Sequence, residues 1–375
     1  MIPDLDKIKS DKSWMPFGEE DPFHHTFVEG YICREQGDLY GALMLLKIDH
    51  EQAPQFIFCT PKLAYPFTTD ALGQVHWRFP KARLIQRYEK LDGTNVFSFR
   101  YTDAKGRSLV SFKTRLTPLL RDSRFGPFLS MWKEMIRQYP AIPSLPLRLG
   151  MNLSYELWGA RNPHLVRYTS PPLEASLLFA RDGRKILPPS ALGQPPVPTA
   201  PHRGDVDRDY IWRYQESQKQ MDGTLRPTDD GGYLGTEGEV WYVQTEDGLW
   251  TPFKCKPETI EAIHWSSSAI DKNIILATCQ NAFENWDDPT VDNVRDLLLE
   301  EFQPNEVEKV YSLIARCLDE TRSRYEFRKT VLDAYRALGM DILTNKREVM
   351  RALSAQFPKE RMSHVYTVIA TEVAH

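Results

Sequence analysis

Residues 83–101 of the chain read RLIQRYEKLDGTNVFSFRY. Two segments rich in β-branched and aromatic residues, 83–88 and 95–101, flank the polar motif Glu89-Lys90-Leu91-Asp92-Gly93-Thr94, and this pattern predicts two strands joined at a turn. A lysine held at the end of a strand can act as a nucleophile once it loses its proton, which burial and neighbouring cations favour. An Asp-Gly pair is also a common turn, so Lys90 needs partners elsewhere in the chain.

Two lysines lie close together in another strand-like segment. The residues Phe253-Lys254-Cys255-Lys256 place both ammonium groups on one face of a strand. Like charges at this spacing repel one another, and a phosphate bound beside them relieves the repulsion. The alternative is an exposed strand whose lysines are solvated.

A glutamate follows a glycine shortly before that segment, in the sequence Gly235-Thr236-Glu237-Gly238. The glycine lets a ligand approach the backbone, and Glu237 offers a hard oxygen ligand suited to Mg²⁺. A hairpin between residues 233 and 256 would bring Glu237 and Lys254 to one end of a sheet. The alternative for Glu237 is an ordinary turn residue.

Two further strand-like segments contain one residue each that suits a nucleotide. Glu156 lies inside the apolar run YELWG, where a carboxylate needs a hydrogen-bond donor, either a ribose hydroxyl or an arginine of the protein. Phe179 lies near the end of LLFARD and offers a ring on which adenine can stack. A phenylalanine in a strand is otherwise a core residue.

The composition fits a globular protein of two domains. The chain has 375 residues, of which 41% are hydrophobic and 26% charged. No apolar run is long enough to span a membrane, and the polar N-terminus lacks the apolar stretch of a signal peptide, so we expect a soluble, cytoplasmic protein without a membrane partner. Five cysteines without a Cys-x-x-Cys pair predict free thiols.

Strand-like and helical segments alternate through about residue 256, which predicts an α+β domain over residues 1–256. We expect strands in 26–60, a hairpin of 95–101 with 108–116, a helix in 125–139, strands at 151–159, 164–169 and 175–181, a helix at 206–221 and strands in 233–256. The proline-rich segment 187–201 cannot continue a helix or a central strand. It is either a linker between domains or a long surface loop, and we favour the loop.

Helical periodicity dominates from residue 257 onwards and predicts an all-helical domain over 257–375. The segments with this periodicity are 291–302, 305–318, 327–340, 346–357 and 362–374. Residues 257–321 contain 4 Lys/Arg and 14 Asp/Glu, a balance of −10, whereas residues 322–375 contain 10 and 6, a balance of +4. This tail either caps the first domain or recognises RNA through the basic stretch 322–347, and we favour RNA recognition.

Basic residues also cluster in two places, although the net charge of −4 gives the chain no overall basic field. The clusters consist of Arg78, Lys81, Arg83 and Arg87, and of Arg322, Arg324, Arg328 and Lys329. Each is either a contact for nucleic acid or a solvated face.

The order and spacing of the motifs at 90, 156, 179, 237 and 254 resemble those of the covalent nucleotidyltransferase superfamily, which contains polynucleotide ligases and mRNA capping enzymes. The resemblance implies an α+β nucleotidyltransferase fold, ATP-grasp-like, with mixed antiparallel sheets. It also implies that Lys90 attacks the α-phosphorus of ATP and holds AMP as a phosphoramidate, and that Mg²⁺ or Mn²⁺ is the metal. The residues implied are Lys90, Lys254 and Lys256 in catalysis, Glu89, Asp92, Gly93, Arg115, Glu156, Phe179, Lys254 and Lys256 in nucleotide binding, and Glu237 with Asp92 at the metal.

Within that superfamily the chain looks most like the phage-type tRNA-repair RNA ligases, because a helical tail follows the second lysine motif and Asn162-Pro163-His164-Leu165-Val166-Arg167-Tyr168 follows Glu156. The implied substrate is RNA with 5′-phosphate and 3′-hydroxyl ends, with an end-healing kinase or phosphatase as a partner. The alternatives are a DNA ligase, an mRNA guanylyltransferase or an inactive nucleic-acid-binding relative.

Overall fold

The computed structural model describes residues 5–35, 37–69, 74–122, 126–228, 233–257, 270, 272–299, 302 and 304–373. The strands are β1 Trp14–Glu20, β2 Phe27–Cys33, β3 Leu43–Ile48, β4 Glu51–Ile57, β5 Phe67–Thr69, β6 Val75–Trp77, β7 Ala82–Glu89, β8 Thr94–Thr102, β9 Ser108–Lys113, β10 Asn152–Trp158, β11 Glu174–Asp182, β12 Lys185–Leu187, β13 His202–Val206, β14 Arg226–Pro227, β15 Tyr233–Leu234, β16 Glu239–Thr245 and β17 Trp250–Cys255. The α-helices are α1 Leu5–Ser10, α2 Phe128–Gln138, α3 Leu145–Leu149, α4 Tyr210–Asp222, α5 Lys272–Asn285, α6 Val291–Leu298, α7 Pro304–Lys309, α8 Tyr311–Ala337, α9 Ile342–Leu353 and α10 Met362–Val373.

A five-stranded antiparallel sheet, in the order β12-β11-β10-β8-β9, forms the centre of the first region. Side chains alternate between its two faces because successive residues of a strand point in opposite directions. On β8, Phe97, Phe99 and Tyr101 pack against the sheet of β1–β4, whereas Val96 packs with Trp132 of α2 on the other face. The sheet is therefore buried on both sides.

A second antiparallel sheet, in the order β13-β7-β16-β17, lies beside the first. Its strand β7 ends at Glu89, and the chain then crosses into the first sheet, where β8 begins at Thr94. The backbone amide of Lys90 donates to the carbonyl oxygen of Gly238, 2.8 Å away, at the start of β16. The connection 90–93 thus lies where the two sheets meet, and the apolar side chains of Leu91, Phe179 and Val240 join them.

Helices α5 to α10 and the connections between them account for the described residues from 272 to 373. Their larger core consists of residues from α5, α6, α7 and α8, and it also includes Tyr40 and Leu116 from the first region. A smaller core lies between α8, α9 and α10. In the described part of the chain, no helix is both long and apolar enough to cross a membrane.

The α+β fold with a helical C-terminal region is confirmed, as are the hairpin of β8 and β9 and the strands predicted in 26–60. The segment 187–201 is a loop that connects β12 with β13 inside the first region, as we favoured, with one 3₁₀ turn at Pro189–Leu192. The five cysteines are free and buried. The domain division remains a prediction, and residues 258–269, directly after the predicted boundary, lie outside the described residues.

Three elements differ from the sequence-based expectations. Residues 164–169 are not a strand, because the amide of Val166 donates to the Asp92 carboxylate and only an isolated bridge to Tyr233 remains. The helix predicted at 206–221 begins only at Tyr210, and residues 202–206 form β13 instead. The helices predicted at 305–318 and 327–340 are divided elsewhere: α7 ends at Lys309, and α8 continues without a break through 319–326, which contains neither proline nor glycine.

We predict that Leu116→Ala lowers the free energy of unfolding by about 2–5 kcal/mol, the usual cost of truncating a buried leucine. Leu116 is 4% exposed and, although it belongs to the first region, packs in the core of the helical region. The loss in free energy therefore also measures how much the packing between the two regions stabilises the protein. Urea unfolding followed by circular dichroism measures it. Leu249→Ala, at a site 50% exposed, is the matched control and should change stability by less than about 0.5 kcal/mol. Equal stability of the two variants would contradict the packing described.

Candidate active site

A cleft of about 350 Å³ opens between the two sheets and helix α5. This volume is within the range of sites for small ligands. All ten residues singled out in the sequence line it: Glu89, Lys90, Asp92, Gly93, Arg115, Glu156, Phe179, Glu237, Lys254 and Lys256. The structure therefore brings together residues up to 167 positions apart (Glu89 and Lys256), while the role of each residue remains a prediction.

Glu237 lies between two lysines. The Lys90 ammonium donates to Oε2 of Glu237, and Nζ of Lys256 lies 3.4 Å from Oε1. Burial alone would raise the pKa of Glu237, but the charges of Lys90 and Lys256 outweigh it and hold the pKa below its ordinary value. Nζ of the third lysine, Lys254, lies 4.2 Å from the centroid of the Tyr65 ring, a cation–π contact. Two ammonium groups thus contact one carboxylate, and a third, that of Lys254, lines the same cleft.

Glu156 belongs to β10, next to the start of β8. Its Oε1 accepts a hydrogen bond from the Gly93 amide at 3.1 Å, and Nδ2 of Asn95 lies 3.5 Å from Oε2. The donors within the protein are therefore a backbone amide and a side-chain amide rather than the arginine considered above. Burial raises the pKa of Glu156 to about 8.

Asp92 is bound to the loop that follows β10. Its Oδ2 accepts from the Val166 amide at 2.6 Å, and its own amide donates to the Tyr168 hydroxyl at 2.9 Å. Burial, together with the charge of Glu237, raises the pKa of Asp92 to about 7. One oxygen of the carboxylate is therefore committed to the protein backbone.

Phe179 forms an apolar wall of the cleft. Only 3% of it is exposed, and it packs with Leu91, Ile186 and Val240. Phe179 is both a core residue and part of the cleft wall. The two interpretations of the sequence, a core residue and a ring for stacking, are therefore compatible.

Arg115 and Glu89 approach the cleft from opposite sides. Arg115 lies two residues beyond the end of β9, not on the strand, and its Cζ is 5.7 Å from the centroid of the Tyr40 ring. Among the described residues, the buried Nε of Arg115 has no hydrogen-bond acceptor. Glu89 is paired with the guanidinium of Arg203 on β13, so much of its charge is neutralised inside the protein.

Two lining residues, Glu284 and His164, were not among the predicted ones. Oε1 of Glu284, on α5, lies 3.0 Å from Nε2 of His164 and 3.2 Å from the Thr94 hydroxyl. Burial lowers the pKa of His164 to about 4 and raises the pKa of Glu284 well above its ordinary value. Burial thus disfavours the charged forms of both groups and favours a hydrogen bond over an ion pair between them. His164 stands in the segment that follows Glu156, but Glu284 gives no sequence signal because the segments with predicted periodicity begin only at 291.

The pKa shifts reduce the negative charge of the cleft. Burial raises the pKa of Asp92, Glu156 and Glu284 and so disfavours their charged forms. Glu237 remains ionised, and Lys90, Lys254, Lys256 and Arg115 surround the same space. The cleft therefore suits a polyanionic ligand with an apolar ring, which is the description of a nucleoside triphosphate.

Glu237 and Asp92 present carboxylate oxygens in the cleft for a divalent cation, although the Lys90 and Lys256 ammonium groups contact both oxygens of Glu237. The described residues contain no group of three or more His, Cys, Asp or Glu side chains able to enclose a metal. Mg²⁺ commonly binds through one or two carboxylates together with waters and substrate phosphates. Glu237 and the free oxygen of Asp92 would therefore suffice as its protein ligands. Such an ion would neutralise phosphate charge.

No protein-family model matches the sequence, and no curated protein matches it either. Solved structures that match include two forms of an archaeal ATP-dependent RNA ligase. Form 1 has a TM-score of 0.43 at 14% identity and covers 88% of this chain and 78% of its own. Form 2 has a TM-score of 0.45 at 12% identity and covers 87% and 78%.

A further match is the Naegleria gruberi RNA ligase with PPi, with a TM-score of 0.33 at 16% identity, over 56% of this chain and 66% of that one. Variants of the same ligase were solved with ATP and Mn. Because these identities and TM-scores are low, the function proposed below rests on the geometry of the cleft.

We predict that Glu156→Gln weakens the pH dependence of stability. The Glu156 carboxyl has a pKa of about 8 in the folded protein against an ordinary 4.5, so the unfolded chain loses its proton first. The free energy of unfolding therefore falls as the pH rises from about 5 to about 8. Glutamine stays neutral, and the fall becomes shallower, although Asp92 and Glu284 contribute with the same sign. Urea midpoints at four pH values measure it.

Glu246→Gln is the control for this experiment. Glu246 pairs with Lys81 at the surface, and 67% of its side chain is exposed. The control should keep the slope of the wild type. An equal slope in Glu156→Gln and the wild type would show that Glu156 is already ionised at neutral pH.

Proposed function

We propose that this protein is an ATP-dependent RNA ligase that joins 5′-phosphate and 3′-hydroxyl RNA ends through a lysyl-AMP intermediate on Lys90. The observation that carries the proposal is the position of Lys90. Its ammonium lies against Glu237 beside Lys256, in a cleft that also holds Phe179 and Glu156. The order of the five sequence motifs supports the same conclusion.

In the first step Nζ of Lys90 attacks the α-phosphorus of ATP. The Lys90 ammonium first releases a proton to solvent, and a nitrogen–phosphorus bond then forms as the bond from the α-phosphorus to the bridging oxygen breaks. Pyrophosphate leaves, and the bonded nitrogen releases a second proton to solvent. Phosphoryl transfer depends on in-line placement and on neutralisation of charge more than on covalent assistance. Lys254 and Lys256 would hold the phosphates, and Phe179 and Glu156 would hold the base and the ribose.

The two later steps use the same cleft. AMP passes from Lys90 to the 5′-phosphate of an RNA end, which creates a phosphoanhydride and frees the amine. A 3′-hydroxyl then attacks the phosphorus of that end, and AMP leaves as the strand is sealed. Arg115 would bind the incoming 5′-phosphate or the ribose, and its buried Nε, which has no acceptor among the described residues, supports this role.

RNA is the favoured substrate because the C-terminal region is helical, whereas DNA ligases and capping enzymes carry a strand-rich domain there. We place the activity in RNA repair, with tRNA as the candidate substrate and an end-healing kinase or phosphatase supplying the ends. The buried free cysteines are compatible with a reducing, intracellular compartment.

We expect labelled AMP to become attached to the wild-type protein when it is mixed with α-labelled ATP and Mg²⁺, and to survive a denaturing gel. Lys90→Ala and Lys90→Arg should reduce the label to background, because neither alanine nor a guanidinium forms the phosphoramidate. Lys105→Ala, an exposed lysine in the turn between β8 and β9, is the matched control and should retain the label. A Lys90→Ala variant that still carries label would refute the proposed nucleophile.

The choice of nucleotide and of strand separates the alternatives. Label from GTP but not from ATP would favour a guanylyltransferase. Nicked duplexes with RNA or DNA at the junction test the substrate, and we expect sealing at RNA junctions. Equal sealing of both would contradict the assignment to RNA. A protein that binds RNA but takes no label would be an inactive relative.

A further inference from the structure

Lys113, the last residue of β9, is a fully buried lysine bound to backbone carbonyl groups. Its Nζ donates to the carbonyl oxygens of Gly41 at 2.9 Å, Thr114 at 2.8 Å and Arg115 at 2.9 Å. Sγ of Cys59 lies 3.2 Å from the same nitrogen. None of the side chain is exposed, and no carboxylate in the described part of the chain pairs with it.

Such a site is costly for a residue that only fills space. Burial lowers the pKa of the Lys113 ammonium, because the charged form loses its hydration. The three carbonyl oxygens compensate, since an ammonium group has three N–H donors and each of them finds one acceptor. A leucine or methionine would fill the same space without this cost, but it would leave three buried carbonyl groups without their partner.

The carbonyl groups belong to two segments at one lip of the cleft. Gly41 lies in the connection between β2 and β3, whereas Thr114 and Arg115 form the turn after β9. The side chain of Arg115 reaches from this turn into the cleft, beside the Tyr40 ring. Lys113 therefore fastens the backbone from which Arg115 projects.

Gly41 packs closely against the carbonyl oxygen of Arg115. It has a φ of +76°, and a Cβ atom added to it would lie 2.2 Å from the Arg115 carbonyl oxygen. Any side chain at position 41 would push that oxygen away, and L-residues rarely adopt this backbone conformation. The ammonium of Lys113 thus binds the peptide group of Arg115, and the absence of a side chain at Gly41 leaves the room that this carbonyl oxygen occupies.

We propose that Lys113 is a positioning residue for catalysis, acting only through Arg115: it fixes the backbone so that the guanidinium points at the phosphate or ribose in the cleft. This inference rests on the function proposed above. Lys113 itself does not touch the substrate. Its contribution to activity must then vanish when Arg115 has no guanidinium to position.

A double-mutant cycle on kcat/KM for RNA sealing tests the inference. We expect Lys113→Met to lower kcat/KM by about tenfold, within the range for residues that share contacts. Arg115→Ala should lower it at least as much. The double variant should match Arg115→Ala alone, because nothing remains to be positioned. Losses that multiply in the double variant would overturn the inference, since a general loss of fold or packing acts with or without the guanidinium.

Controls separate this outcome from unfolding and from failure of the proposed function. Lys105→Met, the exposed lysine at the far end of the same hairpin, should keep full activity. If Lys113→Met does not fold, as judged by circular dichroism, Gly41→Ala replaces it in the same cycle and disturbs the same carbonyl group. A wild type that forms no AMP adduct would contradict the proposed function instead.

Discussion

The hydrogen bond from the Lys90 amide to the Gly238 carbonyl extends the pairing of β7 with β16 to the point where the chain leaves the second sheet for the first. It brings the end of β7 beside the start of β16, and the pairing of Glu239 with both Glu89 and Cys255 extends this alignment to the end of β17. Three strand ends therefore meet at one edge. Lys90 directly follows β7, Glu237 lies two residues before β16 and Lys254 lies near the end of β17, so no helix or long loop is needed to place them.

Burial then decides the charge of the cleft. Its carboxylates would cancel its cations if all were ionised, and the cleft would attract no polyanion. Burial raises the pKa of Asp92, Glu156 and Glu284, while the lysines around Glu237 lower its pKa. Neutral acids can still accept and donate hydrogen bonds to hydroxyl groups. One set of side chains thus supplies positive charge for phosphates and neutral partners for a sugar.

The sequence predicts those parts of the site that depend on local pattern. Lys90, Glu237 and Lys254 stand beside strand signals, so their meeting follows from strands that end at a common edge. The strand predicted at 164–169 is wrong because the amide of Val166 binds Asp92, 74 positions away. No local pattern contains such a contact. By local pattern Lys113 is an ordinary strand lysine. Its buried contact with the Gly41 carbonyl comes from a segment 72 positions away. Glu284 lies before the first segment with predicted helical periodicity, and only the packing of α5 against Thr94 brings it to the cleft.

Recognition of RNA through the basic stretch 322–347 remains a prediction, whereas helix α5 of the same region contacts the cleft directly. Arg322 pairs with Asp288 at 2.9 Å and Arg328 with Glu372 at 3.2 Å, so these cations are largely neutralised within the region. Two adjacent residues of α5 instead reach both sides of the cleft. Glu284 contacts Thr94 beside the lysine motif, and Oδ1 of Asn285 accepts from the Leu116 amide beside Arg115.

The same helix therefore spans the distance between the proposed nucleophile and the residue proposed to bind the incoming phosphate. The helical region thus contributes to the walls of the candidate active site.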